Sequence, residues 1–173
     1  MRNVEIKARV HDENHITNIA KKLSNSNGER MHQSDYFYNV SSGRLKMRRL
    51  ENKTGQLVRY SRDDVKSAKL STYNILNLDE QQANILHEIL IDAYGLKGEV
   101  HKIRTVYMVE QTRIHIDDVE GLGHHMELEV VLDDNQTVEH GQKIAKHLQL
   151  ELGVKDEDLI DCAYLDLLAK NKK

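Results

Sequence analysis

The fold of this chain is decided by one stretch near its start, Asn3-Val4-Glu5-Ile6-Lys7-Ala8-Arg9-Val10. Apolar and polar residues alternate strictly along it, which is the period-two pattern of a β-strand with one buried face. The polar face carries Asn3, Glu5, Lys7 and Arg9, because side chains two residues apart point to the same side of a sheet. The stretch therefore predicts a strand whose second face is lined mainly by charged groups.

The Lys-x-Arg spacing returns in two later predicted strands, and charged residues at period-two spacing mark two more. In each strand these residues share one sheet face, while apolar residues occupy the other. The sets are Lys46 with Arg48, Lys102 with Arg104, Arg113 with His115 and Asp117, and Glu127 with Glu129. Cations thus cluster on some strands and carboxylates on others.

The remaining pattern predicts a single domain, residues 1–173, of mixed α and β structure. Further strands are predicted at 36–38, 44–50, 56–62, 69–75, 100–110, 113–119 and 124–132. Helices are predicted after Asp12 or Asn14, after Asp79 and after Thr137, with a last helix that begins near Asp156. The apolar strand faces are expected to pack beneath these helices.

Composition narrows the class of protein. The 173 residues have a formal net charge of −3 and 5% aromatic residues, so neither a basic nucleic-acid-binding surface nor a base-stacking platform is expected. The chain lacks the run of about 18 apolar residues that a membrane span needs, and residues 1–10 lack the apolar region of a secretory signal. With the single cysteine Cys162, the sequence is typical of a reduced cytoplasmic protein.

Charge is unevenly distributed along the chain, which is typical of proteins with an interaction surface. Residues 1–62 hold 13 Lys or Arg and 6 Asp or Glu, whereas residues 63–173 hold 12 and 22. A solvated face of an antiparallel sheet is the simplest explanation of charged strand faces. Like charges on neighbouring strands repel, however, and a bound polyphosphate with Mg²⁺ or Mn²⁺ would suit both the cations and the carboxylates.

Several motifs occur in the order in which a known family carries them. They are Asn3 to Lys7, Asp35-Tyr36-Phe37, Gly43 to Arg48, Tyr60-Ser61-Arg62, Lys102-Ile103-Arg104, Arg113 to Asp117, Gly121-Leu122-Gly123 and Glu127-Leu128-Glu129. In this ordered set the chain resembles the CYTH superfamily, the triphosphate tunnel metalloenzymes, over nearly its whole length. That superfamily includes class IV adenylyl cyclases, thiamine triphosphatases and inorganic triphosphatases, and the chain is most similar to its small, cyclase-like members.

The resemblance implies an α+β fold in which an eight-stranded antiparallel β-barrel forms a tunnel with helices packed outside. It implies that the substrate is bound by Lys7, Arg9, Lys46, Arg48, Arg62, Lys102, Arg104 and Arg113. Of these, Lys7, Arg48 and Lys102 are the expected catalytic residues. The expected ligands of Mg²⁺ or Mn²⁺ are Glu5, Asp117, Glu127 and Glu129.

The expected function is a metal-dependent phosphohydrolase that acts on an inorganic or organic triphosphate, because hydrolysis needs less machinery than cyclisation. A class IV-type adenylyl cyclase that converts ATP to cAMP and pyrophosphate is the alternative. The expected partner is a small molecule that contains a triphosphate, rather than nucleic acid or a membrane. The sequence leaves open the identity of the triphosphate and the oligomeric state, with a homodimer as one option.

Asn3 departs from the family pattern, since the hallmark motif begins with Glu at this position. A carboxamide can still ligate Mg²⁺ through its oxygen, but it lacks the charge of a carboxylate. The departure leaves open whether one or two metals bind. It also motivates a third hypothesis, a non-catalytic module that binds a polyphosphate or nucleotide.

Histidines raise one more alternative, a His-based metal centre. His11 and His15 are four residues apart and His124 and His125 are adjacent, but no H-E-x-x-H motif or set of Cys partners accompanies them. The sequence does not favour this reading. His115 is expected on the tunnel wall, where hydrogen bonding is favoured over an acid–base role.

Overall fold

The computed structural model describes residues 1–62 and 67–171, and it leaves the side chain of Arg62 undescribed. Within these residues the chain forms eight strands and four helices. The strands are β1 (Arg2–Arg9), β2 (Glu29–Tyr38), β3 (Arg44–Leu50), β4 (Gly55–Arg62), β5 (Lys69–Leu78), β6 (Leu96–Val109), β7 (Thr112–Val119) and β8 (Gly123–Leu132). The helices are α1 (Glu13–Ser24), α2 (Glu80–Tyr94), α3 (Val138–Glu151) and α4 (Tyr164–Asn171).

The strands pair antiparallel and close into a barrel in the order β1-β5-β4-β3-β2-β6-β7-β8. Closure pairs both sides of every strand, so the sheet presents no open edge along these elements. Because alternate residues point to opposite sides, each strand turns one row of side chains inward and one row outward. The predicted eight-stranded antiparallel barrel is confirmed.

The hydrophobic core lies between the outer face of the barrel and the helices. Its largest cluster joins Ile114 and Leu128 of the barrel to Ile16 of α1 and Leu148 of α3. Separate clusters form where α2 packs on β2 and β3 and where α4 packs against β2, β6 and β7. The apolar strand faces are therefore covered by helices, as predicted, and the charged faces are left to line the interior.

Local signals begin the first three helices where the sequence predicts them. The carboxylate of Asp12 accepts the backbone N–H of His15 at 2.9 Å and so caps α1. Asp79 and Gln82 form a reciprocal capping box at the start of α2. Thr137 caps α3. None of the helices described in residues 1–62 and 67–171 is long and apolar enough to cross a membrane.

The last helix is shorter than the sequence predicts. Residues Asp156–Asp158 form a single 3-10 turn, and α4 begins only at Tyr164. Between them, Ile160 donates its backbone N–H to the carbonyl of Lys7 at 2.8 Å, and the buried Leu159 forms a β-bridge to the same strand. Docking onto β1 extends this segment and overrides its helical pattern, as tertiary contacts often override local propensity.

Two strands begin well before the residues predicted for them. β2 begins at Glu29 rather than Tyr36, and β6 begins at Leu96 rather than Val100. The two strands pair with each other from Glu29↔Val106 to Tyr38↔Leu96. Each strand therefore supplies the hydrogen-bonding partner that extends the other, although the start of β2 lacks a clear apolar alternation.

Truncation of Leu128 tests the position of the core. Leu128 is fully buried between the barrel and the helices. We expect Leu128→Ala to lower the free energy of unfolding in urea by about 2–5 kcal/mol, through lost burial and a cavity. Leu150→Ala is the matched control, because Leu150 is 64% exposed and its truncation should cost less than about 0.5 kcal/mol. Equal effects of the two changes would contradict the assigned core.

Candidate functional site

The barrel encloses a cavity of about 780 Å³ whose wall is built from the polar strand faces. The charged residues of the strands that line it include Glu5, Lys7, Asp35, Lys46, Arg48, Lys102, Arg104, Arg113, Glu127 and Glu129. Charges removed from water are tolerated only when they are paired and hydrogen-bonded. The pairing pattern inside this cavity therefore indicates which groups are structural and which are placed for a ligand.

Asp35 of β2 is the centre of the cationic side of the cavity. Its carboxylate is 2% exposed and accepts Nε and Nη2 of Arg48 at 2.8 and 3.0 Å. It also accepts Nζ of Lys46 at 2.8 Å and Nζ of Lys102 at 2.9 Å. Burial opposes ionisation, but Arg48, Lys102 and Lys46 hold the pKa of Asp35 well below its usual range. One carboxylate thus positions three cations.

A second buried carboxylate, Asp117 of β7, holds Arg104. Its oxygens accept Nε and Nη2 of Arg104 at 2.7 and 2.6 Å and the hydroxyl of Tyr164 at 2.8 Å. Asp117 is fully buried and does not line the cavity. Asp117 thus lies behind the cavity wall. Both of its oxygens already accept these donors, so its role in the structure is to support Arg104.

Tyr164, the first residue of α4, connects the helix to the cations at one end of the barrel. Nζ of Lys7 lies 3.6 Å from the centre of its ring, and Nζ of Lys102 lies 5.8 Å from it. Lysine ammonium groups at such distances are attracted by the aromatic ring. Tyr164 itself packs against Phe37 and Val100. Docking of α4 therefore helps to fix the two lysines.

The acidic side of the cavity is formed by β1, β7 and β8. Glu5 faces Glu129 across the β1–β8 pair, and Glu127 faces His115 across the β7–β8 pair. Glu127 forms ion pairs with Lys7 and with Arg104, and Nε of Arg113 donates to Glu129 at 2.9 Å. Burial opposes ionisation, yet the His115 and Arg113 side chains lower the pKa of Glu129 to about 2. Glu129 is therefore ionised at neutral pH.

These residues fit a divalent cation. His115, Glu127 and Glu129 each offer one donor atom, and the three atoms lie within 4.8 Å of one another. Carboxylates directly opposite each other repel unless a cation lies between them, and Glu5 and Glu129 are such a pair. Oxygen donors of this kind are the ligands that Mg²⁺ and Mn²⁺ take in proteins. Glu5, Glu127 and Glu129 are therefore suitable metal ligands.

Two lysines of the cavity have unusual acidities. Burial, together with the charge on Arg48, lowers the pKa of Lys46 to about 7. Burial also lowers the pKa of Lys102 to about 8. Both ammonium groups contact Asp35, which offsets part of the cost of burial. An anionic ligand in the cavity would favour their protonated forms.

The structure brings most of the sequence-predicted residues together. Those that line the cavity are Glu5, Lys7, Lys46, Arg48, Lys102, Arg104, Arg113, Glu127 and Glu129. Arg9 is not among them: it is exposed, because β1 ends there, and its side chain lies beyond the wall that Lys7 joins. The side chain of Arg62, another predicted member, lies outside the described residues.

Three residues of the site were not given these roles from the sequence. Asp35 could have been recognised, because it lies on the inward face of β2 directly opposite Arg48. Tyr164 has no such signal, since a tyrosine at a helix start does not indicate contact with a barrel. For His115, Nδ1 has no hydrogen-bond partner among the described residues, and the expected hydrogen-bonding role of this side chain stays a prediction.

Comparison with known proteins yields a match to the family model described as CYTH domain, over residues 1–164. A protein of Methanocaldococcus jannaschii is 26% identical over 177 residues, which covers 95% of this chain and 97% of that protein. Its name is "putative adenylate cyclase".

Solved structures share the fold. The PH1012 protein of Pyrococcus horikoshii superposes with a TM-score of 0.81 at 22% identity, covering 96% of this chain and 99% of that one. A Vibrio parahaemolyticus protein, whose name is the same as that of the Methanocaldococcus relative, has a TM-score of 0.74 at 18% identity. The superposition covers 96% of this chain and 97% of the Vibrio protein.

Removal of the Asp35 charge tests its role as the anchor of the cationic side. We expect Asp35→Asn to lower the free energy of unfolding by about 3–5 kcal/mol, because three cations lose the charge of a buried partner. The measurement is urea denaturation followed by circular dichroism. Asp118→Asn is the matched control, since Asp118 is an exposed residue of β7. A loss no larger than that of the control would contradict the anchoring role.

Proposed function

Because this chain belongs to the CYTH domain family, we propose that it is a divalent-metal-dependent phosphohydrolase that acts on a triphosphate held in the barrel cavity. The observation that carries the proposal is the presence of a cationic set and an acidic set of side chains in the wall of one cavity. Cations anchored by Asp35 and Asp117 line one part, and the acidic group of Glu5, Glu127 and Glu129 lines another. The ligand that satisfies both is an anion that carries a metal.

The cations supply contacts for the phosphate oxygens. Arg48 and Arg104 present guanidinium groups whose planar forks match phosphate oxygens, whereas Lys7, Lys46 and Lys102 supply compact charges. Each is held by a carboxylate or an aromatic ring before any ligand binds. Such preorganised cations stabilise the charge that develops in phosphoryl transfer. Lys7, Arg48 and Lys102 are the proposed catalytic residues.

Glu5, Glu127 and Glu129 would hold the metal, which is Mg²⁺ or Mn²⁺. When bound, it neutralises charge on phosphate oxygens and makes the phosphorus more electrophilic. Lys7, Arg104 and Arg113 pair with Glu127 or Glu129. These pairs would weaken if the glutamates held a metal, and the three basic side chains would then be available to phosphate.

Hydrolysis forms a bond between the oxygen of a water molecule and the terminal phosphorus. The bond from that phosphorus to the bridging oxygen breaks, and orthophosphate leaves together with a diphosphate or its organic ester. The proton of the attacking water passes to solvent. The side chains of Lys7, Arg48 and Lys102 bind and orient the phosphate chain throughout.

An adenylyl cyclase is the second candidate, and two observations favour it. The Methanocaldococcus relative bears a cyclase name. The cavity, at about 780 Å³, falls within the range of about 300–1,000 Å³ typical of organic-ligand pockets. Beyond Arg104, Val106 and Met108 continue the wall along β6, and Met31 and Ile75 line it as well. An organic group attached to the triphosphate could lie against these apolar side chains.

Product analysis tests the proposed activity and separates the candidates. We expect purified protein to release orthophosphate from inorganic triphosphate, ATP or thiamine triphosphate in the presence of Mg²⁺ or Mn²⁺. Formation of cAMP and pyrophosphate from ATP would identify the cyclase instead. Tight triphosphate binding without turnover of any of these compounds would contradict an enzymatic function and leave a binding module.

Glutamate substitutions test the assignment of the metal ligands. Combined Glu127→Gln and Glu129→Gln should lower turnover by roughly 100-fold or more, because bound metal contributes several kcal/mol to stabilising the transition state. The substitutions keep side-chain volume and remove only charge. Glu120→Gln, at an exposed turn position, is the control. Unchanged metal-dependent activity in the double variant would exclude these residues as ligands.

Proton uptake on ligand binding tests the role of Lys46. With a pKa of about 7 in the free protein, Lys46 is largely neutral at about pH 8, and a bound anion raises its pKa. Triphosphate binding should therefore take up protons, and affinity should fall as pH rises above neutrality. Isothermal titration calorimetry in buffers with different ionisation enthalpies measures the uptake.

The matched variant is Lys46→Arg, which stays charged because the pKa of arginine lies above about 12. We expect it to bind triphosphate with less proton uptake than the wild type. Equal uptake by the two proteins would show that Lys46 does not titrate on binding.

A further inference from the structure

His115 occupies an unusual position at the acidic side of the cavity. The side chain lines the cavity and is 5% exposed. Its Nδ1 lies 3.6 Å from Oε2 of Glu127 and 3.9 Å from Oε1 of Glu129. Both distances exceed the range of a hydrogen bond, and Nδ1 has no hydrogen-bond partner within the described part of the chain. A buried polar atom without a partner is costly unless a ligand or water satisfies it.

The surroundings of Nδ1 favour a cation as that missing partner. Carboxylate oxygens of Glu127 and Glu129 lie within 4 Å of Nδ1, and they favour a cation there over an anion. The basic groups nearby pair with the glutamates: Lys7 and Arg104 pair with Glu127, and Arg113 donates to Glu129. A nitrogen and two carboxylates from neighbouring strands therefore converge on one point, with donor atoms within 4.8 Å of one another.

We propose that Nδ1 of His115 is a ligand of the divalent metal, beside Glu127 and Glu129, and that it makes the site select Mn²⁺ over Mg²⁺. The inference rests on the proposed function, which supplies the metal, and it deepens that function by choosing the ion. Mg²⁺ takes oxygen ligands almost exclusively and gives up its waters reluctantly. Imidazole nitrogen suits first-row transition metals instead, so a mixed nitrogen and oxygen site discriminates between the two ions.

Asn3 supports the same conclusion from a different strand. It lies on β1, which pairs with β8, and its side chain lines the same cavity. Oδ1 of Asn3 is buried and has no hydrogen-bond partner among the residues described. The position thus offers a neutral oxygen where a carboxylate would add charge. Because Asn3 replaces a glutamate, the site has one carboxylate fewer than the family pattern. A neutral nitrogen ligand from His115 would restore the number of metal ligands without adding negative charge.

Mn²⁺ binding to the protein without substrate tests the inference. Electron paramagnetic resonance of the wild-type protein titrated with Mn²⁺ gives the affinity, and competition with Mg²⁺ gives the selectivity. We expect Mn²⁺ to bind roughly tenfold or more tightly than Mg²⁺, a factor worth about 1.4 kcal/mol. Electron spin echo envelope modulation should show ¹⁴N coupling from a directly bound imidazole. This spectroscopic result needs no variant and therefore does not depend on the folding of one.

Substitutions assign the signal to His115. His115→Ala and the bulkier His115→Gln should lose the ¹⁴N coupling and bind Mn²⁺ roughly tenfold more weakly, while Mg²⁺ affinity changes little. His101→Ala is the control, because His101 lies on β6 outside the cavity, with Nδ1 bonded to the hydroxyl of Ser34 at 2.9 Å. Circular dichroism confirms that each variant is folded.

The outcomes separate this inference from the proposed function. Absence of ¹⁴N coupling in the wild type, equal affinity for the two ions, or no Mn²⁺ binding at millimolar concentration would each overturn the role of His115. Triphosphate hydrolysis could persist in every one of these cases and would then uphold the proposed function alone. Conversely, ¹⁴N coupling that disappears in His115→Ala upholds the ligand assignment even if no triphosphate is hydrolysed.

Discussion

The interaction on which this molecule depends is the pairing of the buried Asp35 carboxylate with three cations inside the barrel. Lys46, Arg48 and Lys102 come from strands on both sides of β2, so their charges would repel one another across the cavity without it. A barrel with a charged interior has no apolar core of its own. Its stability comes instead from the apolar outer face, which the helices cover, and the interior is free to be shaped for a ligand.

This arrangement determines how a ligand binds. Every cation that lines the cavity already has a carboxylate or an aromatic ring as a partner, so binding exchanges contacts rather than creating them. The cost of bringing like charges together is met during folding, and the positions of Arg48 and Arg104 are set before the ligand arrives. Preorganised charge of this kind is the main source of electrostatic catalysis. It also explains how Asp117, which lies behind the cavity wall, supports the site without touching the ligand.

Much of the fold and part of the site follow from the sequence, because period-two alternation reveals which side chains share a face. Lys46, Arg48, Lys102 and Arg104 fall on the inner wall for that reason. The alternation does not reveal where a strand leaves the barrel, which is why Arg9 is exposed. Nor does it reveal contacts made by distant elements. The segment before α4 is extended because it docks on β1, and this docking places Tyr164 beside Lys7.

Charge balance inside the barrel gives a physical reason for metal dependence. The uneven charge of the two parts of the sequence is not reproduced in the cavity: among the described side chains, three cations that line it come from residues 1–62 and three from later strands. These six face five carboxylates that line the cavity, Glu5, Glu29, Asp35, Glu127 and Glu129, and Asp117 behind the wall is a sixth. Equal numbers of the two charges leave no net positive charge for a triphosphate, which carries several negative charges. The divalent cation that we propose at Glu127 and Glu129 would supply positive charge, so metal and triphosphate should bind best together.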